Sequence, residues 1–239
     1  MPPDRLRAIV FDVFGTVVDW RTSVAAEARE TAAGLGIGDF DGGAFAEAWR
    51  AGYQPAMAAV RDGRRPWTPL DVLHRERLDE IAPGFGLDAL DDRARDAFTR
   101  AWYRLDPWPD SVAGLTRLKR GYVIGTLSNG GVLLLASMAK RAGLPWDCIL
   151  SSDLFRAYKP QPETYLGALE LLGGGEPGSV MLLAAHNDDL AHARRHGLAT
   201  AFVPRPTEYG PDQTRDLAAE QDWDLVGDSI EDIAEQLGL

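Results

Sequence analysis

The sequence predicts an α/β protein with a doubly wound parallel sheet and an all-helical segment inserted after the first strand. Three observations lead to this prediction. Short apolar runs alternate with helical patterns over most of the chain, polar or glycine-rich residues follow each apolar run, and one long segment contains helical patterns alone. Alternation of this kind is typical of a parallel sheet that is covered by helices on both faces.

Six short apolar runs predict the strands of the sheet. The first covers residues 7–11, and the others cover residues 122–127, 148–150, 180–184, 200–203 and 225–226. Helical periodicity separates most of them, at residues 112–119, 133–142, 163–172 and 190–196. A last helix is predicted over residues 230–237, with Ser229 as its N-cap.

The inserted segment, residues 20–105, has a different pattern. Helical periodicity covers residues 24–35, 45–60, 70–81 and 93–104, and glycine-rich or proline-containing stretches separate these regions. We therefore expect two domains. Residues 1–19 and 106–239 form the core with the sheet, and residues 20–105 form a helical cap domain above the ends of the strands.

Composition excludes several classes of function. The 239 residues carry a formal net charge of −11, so a surface that binds nucleic acid or an anionic membrane is not expected. A single cysteine, Cys148, excludes an intramolecular disulfide framework. The sequence has no apolar signal segment at its N-terminus and no apolar run of about 18 residues, so we expect a soluble, cytoplasmic protein.

Four short motifs lie in order along the chain, three at predicted strand ends and the third just beyond one. Asp12, the first of them, is placed where α/β sheets carry their active sites. The motifs are Asp12 with Gly15-Thr16, then Ser128-Asn129-Gly130, then Lys159-Pro160 with Tyr165, and finally Ala185-His186 with Asp189. Together they resemble the haloacid dehalogenase superfamily, and the resemblance covers nearly the whole chain. It implies a Rossmann-like core with an inserted cap.

Two positions indicate a branch of this superfamily. The phosphatases carry a second Asp two residues after the nucleophile, where this chain has Phe14. Magnesium-dependent members carry an acidic residue four positions before the last Asp, where this chain has Ala185. Since Mg²⁺ requires several oxygen ligands, we predict neither a metal nor another cofactor. The pattern resembles the L-2-haloacid dehalogenase (type II) family.

The predicted activity is the hydrolysis of short (S)-2-haloacids or haloacetates to 2-hydroxy acids. Asp12 would attack the halogen-bearing carbon and form an ester, which water activated by Asp189 would hydrolyse. Lys159 would keep Asp12 ionised and favour an anionic substrate. Two alternatives stay open: a Mg²⁺-dependent phosphatase that acts on a small phosphate ester, and a non-catalytic protein that binds a small acid.

Further residues complete the predicted site, and several of them have a structural alternative. Arg50, which matches an Arg of the family's cap, would bind halide and substrate, or it lies on a solvated helix face. Thr16 would orient the Asp12 oxygens, and Phe14 would contact substrate. Ser128 and Asn129 would bind the substrate carboxylate and the halide, or they serve only the turn.

Tyr165 would support Lys159 or Asp12, or it is a core residue. His186 would orient water or carboxylate, or it is structural. The resemblance also implies a homodimer.

Overall fold

The computed structural model describes residues 5–239, and these residues divide into two compact units. One unit extends to Asp19 and resumes at Pro107–Leu239; the other is Trp20–Asp106. Asp106 therefore belongs with the inserted segment, one residue beyond the predicted return point. No helix among residues 5–239 is long and apolar enough to span a membrane.

The first unit contains a six-stranded parallel sheet, which confirms the predicted α/β fold class. Its strand order is β5-β4-β1-β6-β7-β8. Two further short strands, β2 and β3, lie where the chain passes between the units. The strands are β1 (Ala8–Phe11), β2 (Val18–Asp19), β3 (Asp106–Pro107), β4 (Val123–Ser128), β5 (Cys148–Ser151), β6 (Val180–Ala184), β7 (Ala199–Phe202) and β8 (Leu225–Val226).

Strand β1 lies at the centre of the sheet, between β4 and β6, and all four of its residues are buried. Its neighbours in register are Gly125 and Leu182, which pair with Val10 on either side. The strand order reverses beside β1, because β4 and β5 extend to one side and β6 to β8 extend to the other. Such a reversal opens a crevice at the carboxyl ends of the strands. Residues that directly follow β1 and β6 therefore meet at this crevice.

The second unit is helical. Its helices are α1 (Trp20–Gly34), α2 (Gly42–Ala51), α3 (Tyr53–Arg61), α4 (Leu70–Ile81) and α5 (Asp92–Thr99), and short 3₁₀ helices follow α4 and α5 at Ala82–Phe85 and Arg100–Tyr103. The single helix predicted over residues 45–60 is wrong, since the structure has two helices that meet at Gly52. The physical reason is Pro55, whose ring would clash with the carbonyl of Ala51 in a continuous helix.

Aromatic side chains fill the core of the helical unit. Phe45 of α2 stacks on Phe98 of α5 with ring centroids 5.5 Å apart. Trp49 packs edge-on against Phe98 at 5.2 Å and against Trp102 at 5.7 Å. The indole N–H of Trp49 donates to the carbonyl of His74 on α4 at 2.9 Å. These contacts join α2, α4, α5 and the following 3₁₀ turn into one body.

The helices of the first unit lie between its strands, as predicted, except for the last helix, which follows β8. They are α6 (Ser111–Leu118), α7 (Val132–Ala142), α8 (Ser152–Phe155), α9 (Pro162–Gly173), α10 (Asn187–Arg195) and α11 (Ile230–Gln236). Ser229 caps α11 as predicted, because its hydroxyl oxygen accepts from the Asp232 N–H at 3.0 Å. The one-turn helix α8 was not predicted, since four residues are too few for a periodic pattern.

Candidate active site

The carboxylate of Asp12 is oriented by the turn that follows β1. The Thr16 hydroxyl donates to Asp12 Oδ2 at 2.9 Å. The same hydroxyl oxygen accepts the backbone N–H of Ala185 at 2.9 Å, so its proton is directed at the carboxylate. Ala185 directly follows β6, and Thr16 therefore joins the ends of the two central strands. The predicted role of Thr16 in orienting Asp12 agrees with this geometry.

Lys159 links Asp12 to the carboxylate of the fourth motif. Its ammonium donates to Asp189 Oδ2 at 2.6 Å and contacts Asp12 Oδ1 at 3.4 Å. The Tyr165 hydroxyl donates to the other Asp189 oxygen at 2.7 Å. The side chains of Lys159, Asp12 and Asp189 are only 8%, 13% and 11% exposed. Three separate motifs thus form one nearly dry ionic cluster.

Charge pairing within this cluster outweighs the effect of burial. Burial by itself would raise the pKa of Asp12, but the Lys159 ammonium and then His186 hold this pKa well below its usual range. Burial would lower the pKa of Lys159, whereas Asp189 and Asp12 raise it. Burial first, and the nearby Asp189 carboxylate second, raise the pKa of Tyr165. At neutral pH, Asp12 is therefore an anion, Lys159 a cation and Tyr165 a neutral donor.

Ser128 is the last residue of β4, and Asn129 begins the turn that follows. The Ser128 hydroxyl oxygen accepts the N–H of Gly130 at 3.2 Å, as expected for a turn residue. Asn129 Oδ1 accepts the backbone N–H of Lys159 at 2.8 Å. The Asn129 carbonyl also accepts from the Ser152 hydroxyl at 2.7 Å. Asn129 therefore positions the main chain of Lys159, which is a role that the sequence did not predict.

Phe14 occupies the position where a phosphatase would carry its acid. The side chain is 2% exposed, and its ring edge lies 3.2 Å from the place that a Cβ on Gly130 would occupy. Phe14 thus packs against the turn of the second motif. A phenyl ring carries no proton donor, so it supplies no general acid beside Asp12.

His186 lies between two carboxylates. It directly precedes α10, its Nδ1 is 3.1 Å from Asp12 Oδ2, and its Nε2 is 2.8 Å from Glu208 Oε2. Burial would lower the pKa of His186, but Glu208 and then Asp12 raise it well above the usual value. His186 is therefore a charged member of the cluster.

Glu208 is the site residue that sequence reasoning missed. It lies in the loop that follows β7, and its side chain is 1% exposed. The one available signal was its place after the carboxyl end of a core strand. Asp212, Asp216 and Glu220 share that signal in the same loop, so the pattern alone could not select Glu208.

Arg50 lies in the helical unit, on the last turn of α2. Its guanidinium carbon is 3.9 Å from the centre of the Tyr53 ring and 5.3 Å from that of Trp20. The side chain is half-buried in these aromatic surroundings, and the alternative of a solvated Arg on a helix face does not describe it. Cation–π attraction holds the positive charge at this position.

The oxygen ligands of this site do not suit Mg²⁺. The Lys159 ammonium already contacts both Asp12 and Asp189. Phe14 and Ala185 add no side-chain oxygen at these two positions. The magnesium-dependent members of the superfamily that the sequence resembles carry an acidic side chain at each of them. Within residues 5–239, no group of three or more His, Cys, Asp or Glu side chains is arranged to hold a metal ion. Mg²⁺ prefers near-octahedral oxygen coordination, which this set does not supply.

Comparisons with known proteins indicate one family of hydrolases. A family model described as haloacid dehalogenase-like hydrolase matches residues 6–197. The (S)-2-haloacid dehalogenase 4A of Burkholderia cepacia is 32% identical over 224 residues, which cover 86% of this chain and 87% of that protein. A solved defluorinating L-2-haloacid dehalogenase is 51% identical, with a TM-score of 0.94 and coverage of 98% and 96% of the two chains. A second L-2-haloacid dehalogenase structure is 50% identical, with a TM-score of 0.93 and coverage of 98% and 99%.

Proposed function

The chain belongs to the haloacid dehalogenase-like hydrolases and, within them, to the L-2-haloacid dehalogenases, hydrolases of carbon–halide bonds; on this premise we propose a specific reaction. The protein hydrolyses short (S)-2-haloacids or haloacetates to 2-hydroxy acids through an ester on Asp12, without a metal. One observation carries the proposal: Lys159 joins a low-pKa Asp12 to Asp189 in a nearly dry cluster.

In the first step, Asp12 Oδ1 attacks the carbon that carries the halogen. The C–O bond forms as the carbon–halogen bond breaks, and the halide leaves with the bonding electrons. Two features support Oδ1 as the attacking atom. Oδ2 is engaged by Thr16 and His186 at 2.9 and 3.1 Å, while Oδ1 has the longer contact of 3.4 Å with Lys159. Covalent attack divides one difficult displacement into two easier reactions.

The departing halide and the substrate carboxylate both need hydrogen-bond donors. In this proposal the hydroxyl of Ser128 and the amide N–H of Asn129 donate to them, since the contacts described above use the acceptor oxygens of these residues. Phe14 forms an apolar wall near the substrate carbon. By family resemblance, the helical unit is the cap domain, and Arg50 binds the halide and the substrate carboxylate through its positive charge.

In the second step, water hydrolyses the ester. Asp189 accepts a proton from this water, whose oxygen attacks the carboxyl carbon of Asp12. The hydroxy acid leaves with the original Asp12 oxygen, and the new oxygen stays on Asp12. Lys159 and the neutral Tyr165 hydroxyl hold Asp189 in place through bonds of 2.6 and 2.7 Å.

A single turnover in H₂¹⁸O with enzyme in excess tests the covalent route. The first product should be unlabelled, and the peptide that contains Asp12 should gain ¹⁸O. Direct attack of water on the substrate would place ¹⁸O in the first product and none on Asp12, which would overturn the proposal.

A panel of fluoro-, chloro- and bromoacetate and both 2-chloropropionate enantiomers, measured by halide release after dialysis against EDTA, tests substrate class and metal independence. Activity is expected to survive EDTA. Phosphate ester hydrolysis that depends on added Mg²⁺, with no halide release, would favour the alternative phosphatase. The predicted homodimer and cytoplasmic location stay predictions.

A further inference from the structure

Glu208 is fixed against the turn that carries Asp12. Gly15 has a φ of +90°, and a Cβ at this position would lie 2.1 Å from Glu208 Oε1. The close approach of the carboxylate therefore requires glycine at position 15. The backbone N–H of Glu208 donates to the carbonyl of Arg205 at 3.1 Å.

Arg205 ties the loop of Glu208 to the same turn. Its Nε donates to the carbonyl of Thr16 at 2.9 Å, and its other two nitrogens bind Asp110 at 2.8 and 3.0 Å. Arg205 is 8% exposed, so these charged bonds are sheltered from water. The position of Glu208 relative to the Asp12 turn is thus set by packing at Gly15 and by a buried ion pair.

The arrangement around His186 determines its protonation. Each ring nitrogen faces a carboxylate oxygen, and an ionised carboxylate can only accept a hydrogen bond. Both nitrogens must therefore carry protons while Asp12 and Glu208 are ionised. The charged groups that face this imidazolium are Asp12 and Glu208, and Lys159 and Asp189 lie on the far side of Asp12.

Resting on the proposed function, we propose that Glu208 is a positioning residue for ester hydrolysis: it keeps His186 doubly protonated, with Nδ1–H directed at Asp12 Oδ2. Oδ2 is the carbonyl oxygen of the ester formed through Oδ1. When water attacks the carboxyl carbon, its proton passes to Asp189 and the C=O π electrons move onto Oδ2. Collapse of this intermediate re-forms the C=O bond and expels the hydroxy acid oxygen, which takes the proton from Asp189. The second proton of the water leaves the Asp12 carboxyl group to solvent, and the carboxylate is restored.

His186 and Thr16 then form an oxyanion hole on Oδ2. In the first step negative charge leaves the Asp12 carboxylate, so a cationic donor on Oδ2 gives no advantage to the displacement. In the second step negative charge develops on Oδ2, and the same donor stabilises the transition state. Loss of Glu208 should therefore slow ester hydrolysis and spare halide release.

The test compares Glu208→Gln and Glu208→Ala with the wild-type protein. Glu208→Gln keeps the shape and lets a neutral His186 accept from the amide, so it removes the charge alone. Glu235→Gln, at an exposed position on α11, is the matched control. With (S)-2-chloropropionate, rapid quenching should show a rapid release of one halide per active site in Glu208→Gln. Hydroxy acid formation should then be about ten- to a hundredfold slower than in the wild type, while intact-protein mass shows the ester.

The pH dependence separates this role from a structural one. In Glu208→Gln, ester hydrolysis should recover toward about pH 5.5, below the ordinary pKa of a histidine, where His186 regains its proton. The rate of ester hydrolysis in this variant should fall as pH rises through neutrality, whereas the wild-type rate should stay constant over that range. Equal slowing of halide release and hydrolysis, or unchanged hydrolysis in Glu208→Gln, would overturn the inference. Far-ultraviolet circular dichroism checks that each variant is folded, and Glu208→Gln decides the outcome if Glu208→Ala is not.

A readout without substrate distinguishes the two proposals. Wild-type protein that releases no halide from any haloacid overturns the proposed function. Nuclear magnetic resonance of the imidazole nitrogens, assigned with a His186→Asn variant, still tests the action of Glu208 on His186. Wild-type His186 should stay doubly protonated through neutral pH and should titrate lower in Glu208→Gln. A neutral His186 in the wild type at neutral pH overturns the inference.

Discussion

Two histidines that are largely shielded from water, one in each unit, have pKa values shifted in opposite directions. His186 lies between Asp12 and Glu208, and these carboxylates raise its pKa well above the usual value. His74 lies in the helical unit, where burial first and the positive charge of Arg50 second lower its pKa to about 3. Burial disfavours the charged imidazole in both places. The sign of the neighbouring charge therefore decides the protonation state.

The side chains around His186 are mostly charged, whereas those around His74 are mostly aromatic. In the first unit, each buried charge of the cluster meets an opposite charge at close range, and the cluster stays ionic. In the helical unit, the His74 ring stacks on Trp102 with centroids 4.5 Å apart, and neither of its nitrogens has a hydrogen-bond partner among the described residues. Arg50 lies over aromatic faces. The first arrangement suits proton transfer and nucleophilic attack, and the second holds a cation beside a neutral ring.

The largest effect is expected from breaking the ion pairs of the first unit. Asp189→Asn removes the proposed base, which is also the closest carboxylate partner of Lys159. Turnover should fall by about 10²- to 10⁴-fold, because general-base catalysis contributes about that much. Halide release in the first turnover should persist, and mass spectrometry should detect an ester on Asp12.

Asp188→Asn is the matched control for that experiment. Asp188 is the adjacent residue and its side chain is 91% exposed, so the substitution should leave turnover within about twofold of the wild type. An Asp189→Asn protein that turns over at the wild-type rate would exclude Asp189 as the base.

A smaller effect is expected from Arg50→Ala, which removes the positive charge that acts on His74. Loss of the proposed charged hydrogen bond to the substrate should lower kcat/KM by about 10- to 100-fold. The pKa of His74 should rise at the same time, and nitrogen resonances can follow it. Arg64→Ala, at an exposed position of the helical unit, should change neither quantity. A changed His74 pKa with unchanged turnover would place Arg50 outside the substrate site.

The smallest effect concerns stability at low pH. The pKa of His74 is 6.5 when unperturbed and about 3 in the folded protein, so the unfolded chain takes up the proton first. The free energy of unfolding should therefore fall as pH drops below 6.5 and continue to fall toward pH 3. His74→Phe keeps an aromatic ring and removes this contribution. Urea unfolding at about pH 6.5 and about pH 5 should show the wild type losing about 2 kcal/mol relative to the variant. Equal losses of unfolding free energy in the wild type and in His74→Phe would contradict the low pKa of His74.

Much of the fold and the site follows from local patterns. Runs of apolar residues predicted the six strands of the sheet, because parallel strands are buried on both faces. Asp12, Asn129 and His186 each lie within two residues of the end of a predicted strand, so residue order alone placed them at one edge of the sheet. The helix break at Gly52 was missed because the apolar periodicity continues through it and Pro55 is a single interrupting residue.

The sequence by itself determined the order of the motifs, the place of the proposed nucleophile Asp12 after the first strand and the absence of an acid at position 14. These features depend on residue type and on short spacing along the chain. Local sterics and hydrophobic burial act over that range. Only the tertiary structure decided that Glu208 meets His186 and that Arg50 lies near His74. Those pairs are 22 and 24 residues apart along the chain, and no short-range pattern specifies them. Electrostatic effects depend on distance in space and on burial, so the charge of each histidine is defined only in the folded chain.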